Sequence, residues 1–440
     1  MSPRPTRNHQ QHSGRTTARV PRPGAGVTVG GEAPALSSAA PPAVTSPSIA
    51  TRPAAGRPVR AVPAAPAPAA APASASTLRA DPDQHALTTT WCFDPGEQGP
   101  AHPVTVRFSG RRDNLDGPAG DGDRFVQDET VDCVVPGAGL VAVTAQVFGV
   151  NPGTWTVTAS LLDGQPDPAG KHRPRQLDPA AWSWWRWRLR AAAPTPVKTR
   201  WAPLAAFTRR PAVVPTSWSL LVLAGVIAAL LLQRHTLLRV GLSPDRGLLL
   251  SLAAIVAGVV GARLWYLAVN RDGSPHSWST GWCVQGFLAG IVAALVVGLP
   301  VADIPAGRFL DATTPGLFVG LAIGRLGCFF TGCCAGRPTK GRLAMWLSDR
   351  RVCARRVPVQ LFESLAAATA GVAALVVVGN GHPAVAGSAF VAALAGYTLV
   401  RQFLLQLRAE RRQTSWGWRT VASSAAVALV VDALLTLAAR

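Results

Sequence analysis

Leu248-Leu-Leu-Ser-Leu-Ala-Ala-Ile-Val-Ala-Gly-Val-Val-Gly-Ala-Arg-Leu-Trp-Tyr-Leu-Ala-Val269 contains one charged residue, Arg263, in a run long enough to cross about 30 Å of hydrocarbon as a helix. Six further runs of this kind lie near 216–233, 281–299, 312–330, 360–379, 383–405 and 420–438. Together they predict an all-α polytopic membrane bundle of seven helices over 216–440. The 312–330 run is the least uniform, because it contains Arg325 and several glycines.

Composition agrees with this reading. The 440 residues are 48% hydrophobic and 15% charged, and mean hydropathy is +0.21 in spite of 38 prolines and 42 glycines. The apolar residues must therefore be concentrated, and a small soluble single-domain protein is excluded. Fourteen tryptophans against two tyrosines and two methionines suit membrane interfaces. The 43 basic and 23 acidic residues give a net charge of +20, which permits an anionic membrane surface or nucleic acid as partner. Beside seven spans, the membrane is the expected partner and nucleic acid is not. Seven cysteines in a chain of this length exclude a disulfide scaffold.

Upstream of the bundle the chain falls into three stretches. Residues 1–84, rich in Pro, Ala and Arg, lack the large apolar side chains that offset ordering entropy and are expected to be disordered. No continuous apolar core of a secretory signal is found there. Residues 85–165 alternate β-type runs, such as Val104–Phe108 and Thr154–Ala159, with turn signals at Asp94-Pro-Gly96 and Asn151-Pro-Gly153. They predict a small β-sandwich-like domain with Trp155 in its core and no catalytic constellation. Cys92 and Cys133 are either a disulfide pair or two thiols. Residues 166–215 are expected to form a juxtamembrane linker, in which Trp182-Ser-Trp-Trp-Arg-Trp-Arg188 offers rings and cations to headgroups.

Arginines inside the bundle carry the functional signal. Arg263, Arg325 and Arg401 each lie in an apolar run. An arginine at the centre of a membrane helix costs on the order of 3 kcal/mol on insertion scales, so it is paired or faces a wet cavity unless it snorkels to the interface. Snorkelling suits Arg263 and Arg401, which lie toward helix ends. Three such arginines among small residues otherwise suggest a basic intramembrane pocket, for which a lipid phosphate is the natural anion.

Five separated segments, in order, resemble the prolipoprotein diacylglyceryl transferase family. They are Gly261-Ala-Arg-Leu-Trp-Tyr266, the run Gly324-Arg-Leu-Gly-Cys-Phe-Phe-Thr-Gly-Cys-Cys-Ala-Gly-Arg337, Pro358-Val-Gln-Leu-Phe-Glu363, Gly396-Tyr-Thr-Leu-Val-Arg401, and Arg408. The resemblance covers about residues 220–412. It implies a transferase of the bacterial cytoplasmic membrane that works at the outer face and needs no metal or other cofactor. Its substrates would be phosphatidylglycerol and the lipobox cysteine of preprolipoprotein signal peptides. By the same carry-over, Arg325 and Arg401 hold and polarise the phosphate, and Gln285 stands at the position of the catalytic histidine. The substrate-binding set would be Arg263, Tyr266, Gly286, Cys328, Cys333, Gly336, Gln360, Glu363, Tyr397 and Arg408.

Several first-contact positions depart from the family pattern. The family's His-Gly-Gly reads Gln285-Gly-Phe287, and glutamine cannot take a proton at neutral pH. The asparagine and glutamate of its signature read Cys328 and Cys333, and Leu405 replaces a further glutamate. These changes leave a second class of function open, a non-catalytic protein that binds anionic lipid or a partner. Cys328, Cys333, Cys334 and Cys353 are not at a usual zinc spacing, and structural thiols or a disulfide are the simpler reading. The arginines of 337–356 and 411–419 would lie outside in the family's orientation, whereas the positive-inside rule favours the opposite one.

Overall fold

The computed structural model describes residues 84–115, 117–162, 174–269, 281–381, 383–410 and 416–439. The tail expected to be disordered, 1–84, lies outside the described residues except for its last position. Alternating β-branched and aromatic residues build five long strands, β1 (His85–Phe93), β2 (His102–Arg112), β3 (Arg124–Val134), β4 (Val141–Val150) and β5 (Thr154–Leu161). Leu87, Trp91, Val106, Phe108, Val143, Trp155 and Val157 point inward at period two and make one apolar core between two antiparallel sheets. Trp155 is fully buried there, as its sequence context predicts.

The stretch expected to be a linker is also folded. It forms β6 (Arg175–Gln176), β7 (Asp178–Ser183), β8 (Arg188–Ala191), β9 (Val197–Lys198), β10 (Arg200–Trp201) and a single turn, α1 (Ala202–Ala205). Their backbone groups are satisfied by the two sheets, because β7 and β10 pair with β1, and β6 and β9 with β5. The tryptophans expected at headgroups divide. Trp185 is exposed, but Trp187 stacks on Phe329 at 5.5 Å and donates its indole N–H to the Trp346 carbonyl at 2.9 Å.

Among the described residues seven long apolar helices follow: α2 (Ser217–Arg239), α3 (Pro244–Val269), α4 (Val284–Val301), α5 (Ala306–Thr331), α6 (Val359–Gly379), α7 (Ser388–Leu404) and α8 (Gly417–Ala438). Their number and order match the seven expected spans. In hydrocarbon, helices gain little from apolar burial against one another, so close backbone approach through small residues decides the contacts. A Cβ on Gly316 would lie 2.3 Å from the Ala229 carbonyl oxygen, and one on Gly286 2.3 Å from that of Gly261. These glycines clamp α5 to α2 and α4 to α3.

The segment between α5 and α6 was not anticipated as structured. It forms the hairpin β11 (Met345–Ser348) and β12 (Val352–Arg356), and β12 pairs with β4 of the upstream unit. The sheet order is therefore β11-β12-β4-β1-β7-β8, one sheet built from both halves of the chain, while the other runs β3-β2-β5-β6. An Arg351–Glu129 ion pair and the Arg210 bond to the Arg350 carbonyl reinforce the joint. The β unit thus sits at the bundle end where α5 and α7 finish and α6 and α8 begin.

Gly316→Val forces two helix backbones apart, and overpacking of this kind costs about 1–3 kcal/mol. Thermal unfolding of the purified protein in detergent should show a clear loss of Tm for this variant. Gly324→Ala should show none, since nothing lies within 4 Å of the added methyl.

Candidate functional site

Glu363 is fully buried in the first turns of α6. The preceding Pro358 starts the helix, and Gln360, also fully buried, donates to the Cys333 carbonyl at 2.9 Å. Three arginines from different elements converge on this carboxylate. Arg408 donates through one nitrogen to both oxygens, at 2.7 and 2.9 Å. Arg325, near the end of α5, stands 3.1 Å away. Arg401, in the last turn of α7, approaches to 3.9 Å, an ion-pair distance too long for a hydrogen bond.

Arg408 reaches Glu363 because α7 ends in a short 3₁₀ turn, Leu405–Leu407, after which the backbone becomes extended. The extended piece is held by the chain after α5, with Arg337 N–H donating to the Leu407 carbonyl and Ala409 N–H to that of Ala335. Gly336 lies between these bonds, where a Cβ would meet the Val357 carbonyl oxygen at 2.1 Å. Its role is to let three strands of backbone pass. Cys328, Cys333 and Cys334 stand in one thiol cluster beside the arginines, with Cys334 in a left-handed conformation at φ 55°. Hydrogen bonds from Cys328 and Cys333, helped by Arg408 and Arg325, push the Cys334 thiol down, and the same cluster pushes Cys333 up.

Three guanidinium charges against one carboxylate leave two positive charges uncompensated in a region of low dielectric. Among the described residues, the Nε–H groups of Arg325, Arg401 and Arg408 are buried without hydrogen-bond partners. Orphaned donors around an unbalanced positive charge are what an anion site requires. An uncharged ligand would leave that charge unanswered.

Comparison with known proteins agrees with this chemistry. The sequence profile of prolipoprotein diacylglyceryl transferases matches residues 206–439, more than half of the chain. The chain belongs to this family. It is 32% identical over 136 residues to the phosphatidylglycerol–prolipoprotein diacylglyceryl transferase of Chloroflexus aggregans, covering 29% of this chain and 44% of that protein. The enzyme of the same description from Clostridium tetani is 23% identical over 150 residues, covering 32% and 60%. That of Tropheryma whipplei is 29% identical over 202 residues, covering 41% and 72%. The chain thus spans less than two thirds of the first two relatives. The family is a membrane transferase, and seven apolar helices make this chain a multi-pass membrane protein. The matched region begins after β1–β10, so these strands are additional to the transferase profile, while β11 and β12 lie within it.

Of the residues singled out in the sequence, the structure brings Arg325, Arg401, Arg408, Glu363, Gln360, Tyr397, Cys328, Cys333 and Gly336 to one place. Arg263, Tyr266, Gln285 and Gly286 form a second group on α3 and α4. There Arg263 donates to the Gly281 carbonyl at 3.0 Å and lies 5.8 Å from the Tyr266 ring centre, and Gln285 accepts from the Cys283 thiol at 2.8 Å. Gly286 is a packing residue against Gly261. Sequence reasoning read Arg337 and Arg356 only as outer cations; the structure places Arg337 against the Arg408 carbonyl and Arg356 on β12, paired with Asp349. Neither Cys92 nor Cys133 is in a disulfide; Cys92 is buried and Cys133 exposed. Burial pushes the Cys92 thiol up to about 11.

Removing the carboxylate leaves three partly buried cations facing one another. Breaking a buried ion pair costs about 3–5 kcal/mol. Glu363→Gln should therefore lower the Tm of the full chain in detergent sharply, more than Arg401→Gln, whose pair with Glu363 is the longest of the three.

Proposed function

We propose that this chain transfers the diacylglyceryl group of phosphatidylglycerol to the lipobox cysteine thiol of preprolipoproteins. The observation that carries the reading is the Arg325–Arg401–Arg408 cluster on Glu363, with its two uncompensated positive charges. A phosphodiester arrives with one negative charge. The thiolate sulfur attacks the glyceryl carbon, the C–O bond to phosphate breaks with its electrons, and glycerol phosphate leaves as a dianion. The thiol proton ends on water or on the departing phosphate. Charge on the leaving group doubles during the reaction, so fixed guanidiniums bind the transition state more tightly than the lipid. In this reading Arg325 and Arg401 polarise the phosphate. Arg408 supplies the third cation, while Gln360 and Glu363 keep the cluster in register.

The reading places the site at the outer face of the cytoplasmic membrane. The abundance of arginine on this side has a physical account that does not depend on topology. Arg337, Arg350 and Arg355 donate to the carbonyls of Arg408, Thr331 and Ala344, Arg356 pairs with Asp349, and Arg351 pairs with Glu129. These cations serve the fold of the joint. Cys133, the exposed thiol, should accordingly react with a membrane-impermeant maleimide on intact cells, while buried Cys92 should stay unlabelled until the protein is denatured. Protection of Cys133 until lysis would place the β unit inside.

One observation favours the second reading, binding of anionic lipid without transfer. Gln285 makes a thiol–amide contact with Cys283 and cannot serve as a base. A thiol with pKa near 8.5 is only a few per cent ionised at neutral pH, a handicap of roughly 2 kcal/mol. Transfer should therefore rise with pH, and Gln285→His should raise it near neutrality.

The deciding assay follows diacylglyceryl transfer from labelled phosphatidylglycerol to a lipobox peptide in proteoliposomes. Arg325→Ala and Arg401→Ala should each lower the rate by about 100-fold, as loss of one anion-hole donor does. Lysine at either position should rescue poorly, because it lacks the planar fork. A parent protein inactive from pH 6 to 9, with Gln285→His equally inactive, would leave the binding reading in its place.

A further inference from the structure

A cavity of about 910 Å³ lies between the β unit and the ends of α7 and α8. Its wall includes Thr130, Val131, Asp132 and Cys133, four consecutive residues of β3. Successive side chains of a strand point to opposite faces, so a cavity touching four in a row runs along the strand's edge and not across one face. β3 ends its sheet and pairs with β2 alone among the described strands. Its other edge therefore presents N–H and C=O groups to the cavity. The pairing with β2 also slips between His102 and Val104, opposite Asp132 and Cys133, where Pro103 brings no N–H. This bulge marks the stretch where the strand's backbone is least committed to its own sheet.

The opposite wall comes from the transferase half. Arg337, Arg356, Leu405 and Ala409 line it, and Arg337 donates to the Arg408 carbonyl at 3.2 Å. The cavity thus opens beside the arginine cluster, on the extramembrane side. Arg356 is 4% exposed, lines the cavity and pairs with Asp349 at 2.6 Å. Asp132, Asp349 and Glu410 line the same space. Arg337, Arg351 and Arg356 line it too, so the charges balance and no excess cation draws a lipid phosphate, whereas an extended peptide backbone finds a complementary edge on β3.

We infer that this cleft receives the extramembrane segment of the acceptor polypeptide, downstream of its reactive cysteine, as an extra strand on the free edge of β3. This rests on the proposed acceptor chemistry but goes beyond it, since it assigns the added β unit a substrate-holding role. Main-chain hydrogen bonds supply affinity with little demand on side-chain sequence, as strand addition does elsewhere. Acceptors of different mature sequence would therefore be held equally well.

The test measures binding separately from chemistry. Full-length protein in nanodiscs is titrated with three synthetic peptides, each with the same apolar segment and acceptor cysteine. The first ends two residues past the cysteine, the second continues for ten polar residues, and the third carries N-methyl groups at alternate amides of that tail. The unmodified long peptide should bind about tenfold more tightly than the other two, the order of gain expected from a few net hydrogen bonds. Asp132→Pro, placed at the bulge, should erase the long peptide's advantage. Equal affinities of the first two peptides for the parent protein, or an advantage that survives N-methylation, would overturn the inference. Tenfold tighter binding of the long peptide without any diacylglyceryl transfer would keep the cleft and remove the transferase reading. Competition by phosphatidylglycerol vesicles alone for the tail site would identify it as a headgroup site and also overturn the inference.

Discussion

One buried carboxylate organises the membrane half of this protein. Glu363 has no access to water and is opposed by Arg325 from α5, Arg401 from α7 and Arg408 from the chain beyond it. Without the carboxylate these partly buried cations would repel one another. Three elements distant in sequence are thereby fixed to α6 by charge, in a setting where apolar contacts give little preference for one packing over another. The same arrangement holds more positive charge than it neutralises. The carboxylate is sufficient to assemble the cluster and insufficient to neutralise it.

Around this centre, backbone geometry does the positioning. Gly336 and Gln360 keep the chain after α5 against the extended segment at Arg408. That chain continues into the β11–β12 hairpin, and β12 completes a sheet begun by the upstream residues. Trp187 closes the joint from the other side by stacking on Phe329, immediately beyond Cys328. The β unit is therefore coupled to the arginine cluster through a short, hydrogen-bonded path.

The seven helices were legible because length and uninterrupted apolarity suffice to define a span, and α5 was the weakest signal because it carries Arg325, whose charge is answered only by Glu363 on α6. The cluster residues were legible through their motif spacing, and the pairing of three arginines on Glu363 agrees with it. Two features were not readable. The stretch from Arg175 to Trp201 looked like a linker because its strands are two to six residues long and, apart from the β7–β8 pair, find their partners in β1 and β5. The hairpin after α5 was hidden for a related reason: two of the five residues from Val352 to Arg356 are charged, and its strand pairing comes from β4, which lies far upstream. Pairings across such distances leave no local periodicity to detect.

That distance also sets an order of events during synthesis. Val143 in β4 finds its partner Val352 only after about two hundred further residues, including four membrane helices, have been made. At ordinary elongation rates this is a wait of roughly 10 to 40 s. Throughout that interval β4 is an edge, open to pairing with other chains. The hairpin that closes it is tethered between α5 and α6, so the sheet is completed only once those helices are being placed. Completion of the upstream fold thus reports on insertion of the downstream one, a proofreading of assembly written into strand order.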